Sequence, residues 1–177
     1  FGSGFCIFND VATTARVLLD NGEVQRLLVV DLDVHQGDGT AACFADEPRI
    51  TTLSVHAASN FPLRKVASDI DIPLEDATGD DDYLAAIGDR LPQVLDDQQP
   101  DLVLFNAGVD PHRDDRLGRL ELSDEGLLRR DRLVLDAALR RSIPIATVIG
   151  GGYDELMPLV RRCLLYTSDA ADEVDGV

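Results

Sequence analysis

The sequence predicts an α/β domain organised around a mostly parallel sheet, and two observations carry that reading. Four short apolar runs, Leu27 to Leu32, Thr51 to Val55, Leu102 to Asn106 and Ile145 to Ile149, are too short for helices. Most are rich in β-branched residues, as strands buried on both faces should be. Between them lie stretches with apolar residues at helical spacing, and strands that alternate with helices pair in parallel. Ligands of such sheets sit beyond the carboxyl ends of the strands, so the residues that follow each run carry the function.

Asn9 or Asp10 caps a first helix, whose apolar positions include Val11, Ala15, Leu18 and Leu19 and which Gly22 ends. The first strand runs on into Asp31-Leu32-Asp33-Val34-His35 and then Gln36-Gly37-Asp38-Gly39. With a strand's period of two, Asp31, Asp33 and His35 point to the same face. Asp80 or Asp81 starts another helix, with Tyr83, Leu84, Ile87 and Leu91 at helical spacing. Pro92 is expected to restart that helix at a first-turn position, where a missing N–H is harmless. The third strand leads into Asn106-Ala107-Gly108-Val109-Asp110-Pro111-His112. Ser123 caps a helix with Asp124 and Glu125 in its first turn and Arg140-Arg141 at its end, both favourable to the helix dipole. The fourth run ends in Gly150-Gly151-Gly152-Tyr153. From Leu164 to Val177 the pattern turns small and acidic with no apolar face, so residues 1–163 are expected to form the domain and residues 164–177 a tail, either an ordinary frayed terminus or an appended, unrelated sequence.

Length and charge narrow the function. The 177 residues are 45% hydrophobic, enough for one domain with a core and too few for two. Thirty-three acidic residues against 16 basic ones leave a formal charge of −17, and Lys65 is the only lysine. Such a surface repels a nucleic-acid backbone, which is gripped mainly by Lys and Arg, so direct nucleic-acid binding is not expected. No apolar run approaches the ~20 residues of a membrane helix, so no membrane partner is expected either. Cys6, Cys43 and Cys163 form no CxxC pair, which argues against a disulfide framework and fits the reducing cytoplasm. Phe1-Gly2-Ser3-Gly4-Phe5 has no initiator Met and reads as though the chain begins inside a larger protein. Oligomeric state is not legible.

The polar residues gather where the strands end. Singly, each has an ordinary explanation: Asp110 suits a helix cap or turn, an Asp-x-His pair is a weak metal signal, and Gly-Gly-Gly-Tyr suits a permissive turn. Together at one sheet edge, acidic and imidazole groups are costly unless a cation neutralises them. Asp33, His35 and Asp110 offer two carboxylates and one imidazole, a set that suits a single Zn²⁺ with an open position. Such an ion activates water and polarises a carbonyl, which implies amide or ester hydrolysis. Tyr153, carried on three glycines, can present its O–H to a developing oxyanion, although alone it reads equally as a half-buried aromatic.

Gly4-Phe5-Cys6 with Asn9-Asp10, the run Asp31 to Gly39, Asn106 to Asp110 and Gly150 to Tyr153 together resemble the zinc-dependent histone deacetylase family, in order and in spacing. The segment Asp114 to Arg132 is most similar to its class IV branch and bacterial relatives. The resemblance implies a three-layer arginase-like α/β fold, incomplete at the N-terminus and expected to be so at the C-terminus. It implies zinc on Asp33, His35 and Asp110, Tyr153 as a catalytic residue, and an acylated lysine peptide or acylated amine as substrate. An acetylpolyamine or other small metabolite is the alternative substrate, and a non-catalytic zinc-stabilised binding module the alternative function. A structural K⁺ is implied on the carbonyls of Asp31, His35 and Val55 and the side chains of Asp33 and Ser54. Gly4, Phe5, Phe61, Gly151 and Gly152 are implied to line the substrate channel. Gly37 stands where a second metal would need a carboxylate and Asn106 is uncharged, so one metal is expected rather than the two of the arginases. The family's adjacent general-base histidines would precede Phe1. Asp31 and Asp38 match the carboxylates that orient them, so the 177 residues alone are expected to be inactive or nearly so. His56 and His112 are not assigned as ligands.

Overall fold

The computed structural model describes residues 4–163, so the expected tail and Phe1 to Ser3 lie outside the described residues. Helix α1 (Asp10–Asp20) leads to β1 (Leu27–Asp31), then α2 (Asp38–Phe44), β2 (Ile50–Ala57) and β3 (Ile70–Leu74). Helix α3 (Asp80–Gln98), β4 (Leu102–Asn106), α4 (Asp124–Leu139) and β5 (Ile145–Val148) follow, and the chain is helical again over residues 156–163. Every strand pairing is parallel, in the order β3-β2-β1-β4-β5.

Alternation along the strands builds the three layers. Leu28 and Val30 of β1, with Val103 and Phe105 of β4, share one core with Tyr83, Ile87 and Leu91 of α3 and Leu127 and Val134 of α4. Leu27, Val29 and Leu104 point the other way, against Ala12, Ala15 and Leu19 of α1 and Phe44 of α2. Asn9 caps α1 by accepting from the Ala12 N–H, and Ser123 caps α4 by accepting from the Gly126 N–H, as their residue types predict.

Strand order decides where a site can form. From β1 the chain moves outward through β2 to β3, and from β4 it moves outward the other way to β5. The adjacent carboxyl ends of β1 and β4 therefore flank the point where the winding reverses, which is where open α/β sheets bind ligands.

Three expectations are corrected. Helix α3 does not restart at Pro92 but runs through it. The lost N–H and ring clash cost about 3 kcal/mol. Ile87, Leu91, Val94 and Leu95 are buried around the proline, at about 1.5–3 kcal/mol each, and that outweighs the break. Strand β3 was hidden by Pro73 and Asp71, yet its burial alternates along Ile70-Asp71-Ile72-Pro73-Leu74. Pro73 is tolerated because β3 is an edge strand. The first strand stops at Asp31, and the short α2 begins at Asp38 where no helix was expected.

Candidate metal centre

Beyond β1 the backbone is not extended, so a period of two is not what gathers the acidic groups. Asp31 Oδ1 accepts from the Asp33 N–H at 3.1 Å, and Asp33 Oδ1 accepts from the His35 N–H at 2.8 Å. Two successive turns of this Asx kind bring Asp33 and His35 together and leave Asp31 beneath them. There Asp31 Oδ1 also accepts from Asn106 Nδ2 on β4 at 2.9 Å, while Asn106 Oδ1 is buried without a partner among the described residues. From the exit of β4, the fully buried Asp110 accepts from the Val34 N–H at 2.8 Å. His35 Nδ1 lies 2.9 Å from Asp33 Oδ1 and 3.1 Å from Asp110 Oδ2. One ligand atom from each of Asp33, His35 and Asp110 falls within 4.8 Å of the others.

The electrostatics ask for positive charge. Burial, with the neighbouring charge of Asp33, pushes the carboxyls of both Asp31 and Asp110 up. Burial alone would lower His35, but its bonds to Asp110 and Asp33 prevail and hold the ring up at about 10. All three groups shift toward holding protons, as expected of a site built for a cation that a proton otherwise replaces.

The glycine loop leaves room for that cation. Gly151 has φ +34°, and a Cβ there would collide with Oδ2 of both Asp110 and Asp33. Gly152 has φ +135°, and a Cβ there would collide with Leu159 and Val109, so only glycine lets the loop sit this close to the exit of β4. The donor set and the space between its oxygens fit one divalent ion. Gly151→Ala should therefore abolish metal binding in a titration of the folded chain; unchanged binding would show that the ion sits elsewhere.

Aromatic rings wall the opening. The His35 ring meets Tyr153 edge-on at 6.0 Å and Phe61 edge-on at 6.4 Å, and Phe5 lies 5.7 Å from Tyr153. Phe5 is 86% exposed and Phe61 44%, with Gly4 facing the Phe61 ring. Burial first, then the charges of Asp33 and Asp110, push the Tyr153 phenol up to about 12, so it stays a hydrogen-bond donor. Its loop is held by a residue the motif reading missed as a contact: Asp115 Oδ2 accepts from the Tyr153 N–H at 2.7 Å. Asp115 Oδ1 takes the N–H groups of Leu117 and Gly118, a turn pattern that the Asp115 to Gly118 segment signals only locally.

The remaining expected residues lie around this centre. Asp38 opens α2, and its charge reaches the Lys65 ammonium. Ser54 stands opposite Asp31 in the β1–β2 register, beside Val55, and its hydroxyl lies 3.0 Å from His56 Nδ1. His112 Nδ1 accepts from the Asp114 N–H, so both histidines left unassigned are engaged in hydrogen bonds.

A family model described as the histone deacetylase domain matches residues 1–170. The chain belongs to the histone deacetylase family. Among its relatives, an uncharacterized protein of Picosynechococcus is 50% identical over 153 residues, which are 86% of this chain and 51% of that protein. Histone deacetylase 2 of Arabidopsis thaliana is 31% identical over 86% of this chain and 40% of its own length. A probable deacetylase of Archaeoglobus fulgidus is 28% identical over 94% of this chain and 48% of its own. The chain thus spans about half, or less, of the length of these relatives. The crystal structure of the HDA15 HD domain superimposes with a TM-score of 0.79 at 23% identity, over 96% of this chain and 52% of that one, which shows the shared fold.

Proposed function

We propose that this protein is a zinc-dependent amidohydrolase that removes acyl groups, acetyl or longer, from lysine side chains or related acylamines. One observation carries the reading: two carboxylates and an imidazole converge within 4.8 Å beside the Tyr153 ring, at the open end of the sheet. Zinc on Asp33, His35 and Asp110 would supply a Lewis acid that polarises an acyl carbonyl and lowers the pKa of water. Two anionic ligands leave that inner shell near neutral. Phe5 and Phe61 offer apolar faces to a slender aliphatic stem, and Tyr153 would donate a hydrogen bond to the oxyanion that develops from the carbonyl. Asp31 and Asp38 are assigned to orient general-base imidazoles, which His56 and His112, already engaged, do not supply.

The same reading would place a K⁺ beside the zinc, on Asp31, Asp33, His35, Ser54 and Val55; Asp31 and Ser54 stand opposite each other in the β1–β2 register. The net charge of −17 favours cationic substrates, peptide or polyamine, through long-range attraction. Three unpaired thiols favour the cytoplasm.

The test uses the longest natural reading frame that contains these residues. Turnover of an acetyl-lysine peptide should vanish on chelation and return with Zn²⁺. Absence of metal-dependent turnover on peptide and acetylpolyamine alike would remove the enzyme reading, and turnover of the polyamine alone would assign the small-amine substrate.

A further inference from the structure

We propose that Arg130 is a positioning residue for the metal centre, a buried fork that fixes the two strand exits bearing Asp33 and Asp110. The inference rests on the metal-binding reading given above. Arg130 lies on the face of α4 that otherwise presents Leu127, Val134 and Ala138 to the core, and it is completely buried. A guanidinium is among the costliest groups to place there, and an apolar side chain of similar volume would fill the same space. What the guanidinium adds is its donors.

Those donors reach the ends of both central strands. Nη1 donates to the Gly108 carbonyl at 2.5 Å and to the Leu32 carbonyl at 3.3 Å, and Nη2 donates to the Ala107 carbonyl at 3.3 Å. Leu32 directly precedes Asp33, while Ala107 and Gly108 lie just before Asp110. All three carbonyls stand past the last residues of β1 and β4, Asp31 and Asn106, where the regular ladder has ended. Arg130 thus bridges the two exits at and beyond the last backbone bond that joins them, from the Leu32 N–H to the Asn106 carbonyl at 3.0 Å. Asp131 Oδ1 balances the charge and aims the fork, 2.8 Å from Nε and 2.7 Å from Nη2. The Phe105 ring lies 6.0 Å below, and the buried Tyr83 hydroxyl donates to the same Leu32 carbonyl at 3.4 Å. Lysine, a point charge on a flexible stem, cannot reproduce this planar arrangement.

The experiment compares the 177-residue chain with Arg130→Met, Arg130→Lys and, as a core control on the same helix, Val134→Ala. Zn²⁺ affinity is read by competition with a chromophoric chelator, Co²⁺ geometry by visible absorption, and folding by circular dichroism and thermal melting. Arg130→Met should stay folded and weaken Zn²⁺ binding about 10- to 100-fold, the range typical of partners that orient metal ligands. Arg130→Lys should show a smaller loss and an altered Co²⁺ spectrum. Val134→Ala should lower the melting temperature and leave both metal readouts unchanged. A folded Arg130→Met with unaltered Zn²⁺ affinity overturns the proposal, as does a Val134→Ala loss of equal size. If Arg130→Met does not fold, Arg130→Lys decides, and wild-type affinity with a wild-type Co²⁺ spectrum overturns it. If the unsubstituted chain binds no Zn²⁺, or binds it no better than Asp110→Asn does, the metal reading itself fails and takes this proposal with it.

Discussion

Asp110→Asn should weaken zinc binding by roughly 10²-fold while leaving the fold intact. The magnitude follows from apparent zinc-binding free energies of about 10–16 kcal/mol shared among four ligands, or roughly 3 kcal/mol for each. The fold should persist because asparagine keeps the size of the side chain and one carbonyl oxygen. That oxygen can still accept from the buried Val34 N–H, now bound at 2.8 Å. What is lost is the anionic oxygen that lies 3.1 Å from His35 Nδ1. Competition with a chelator on the purified chain measures the affinity, and thermal melting without metal measures the fold. Undiminished zinc affinity in a folded variant would exclude Asp110 from the metal shell.

Tyr153→Phe should lower kcat by about 10²- to 10³-fold, the cost of removing one oxyanion donor, with KM and zinc affinity little changed. The substitution is clean because the ring is not placed by its hydroxyl. Asp115 holds the Tyr153 backbone N–H at 2.7 Å, and a phenyl ring retains the edge contact with His35 and the tilted contact with Phe5. Burial and the charges of Asp33 and Asp110 keep the phenol protonated up to about 12, so deleting its O–H removes a donor rather than a base. The measurement is a steady-state comparison on the acetyl-lysine peptide, in the longest reading frame carrying these residues. Equal kcat in the two proteins would remove Tyr153 from the reaction, whereas zinc binding without turnover in either would support a binding module in which the metal only ties strand ends together.

How much of the site was legible depends on how far each residue acts from its neighbours in sequence. Asp33 and His35 could be singled out because they follow a strand-like run, yet the route assigned to them was wrong. Side-chain oxygens of Asp31 and Asp33 capturing nearby N–H groups set their geometry, not continued extension of the strand. Asp110 could be assigned to the metal from its residue type and its place after a strand-like run, with no view of how it reaches the other two ligands. Its meeting with His35, 75 positions away, needs β4 to lie beside β1. Asp115 and Arg130 were not singled out for any part in holding the site. Helical spacing with Leu127, Val134 and Ala138 puts Arg130 on the buried face of α4, but the strand-exit carbonyls it reaches are distant in the chain and leave no local signature.

The amino-acid pattern alone determined most element types, β3 and the short α2 excepted, because burial period and capping chemistry are properties of a few consecutive residues. It gave four of the five strands, with β4 placed to the residue, the caps Asn9 and Ser123, and the three side chains that gather at the centre. Only the tertiary structure decided the lateral order β3-β2-β1-β4-β5, the passage of α3 through Pro92, and the need for bare glycine at position 151. Each of these depends on packing between residues distant in the chain, where the sum of many small contacts outweighs a local preference.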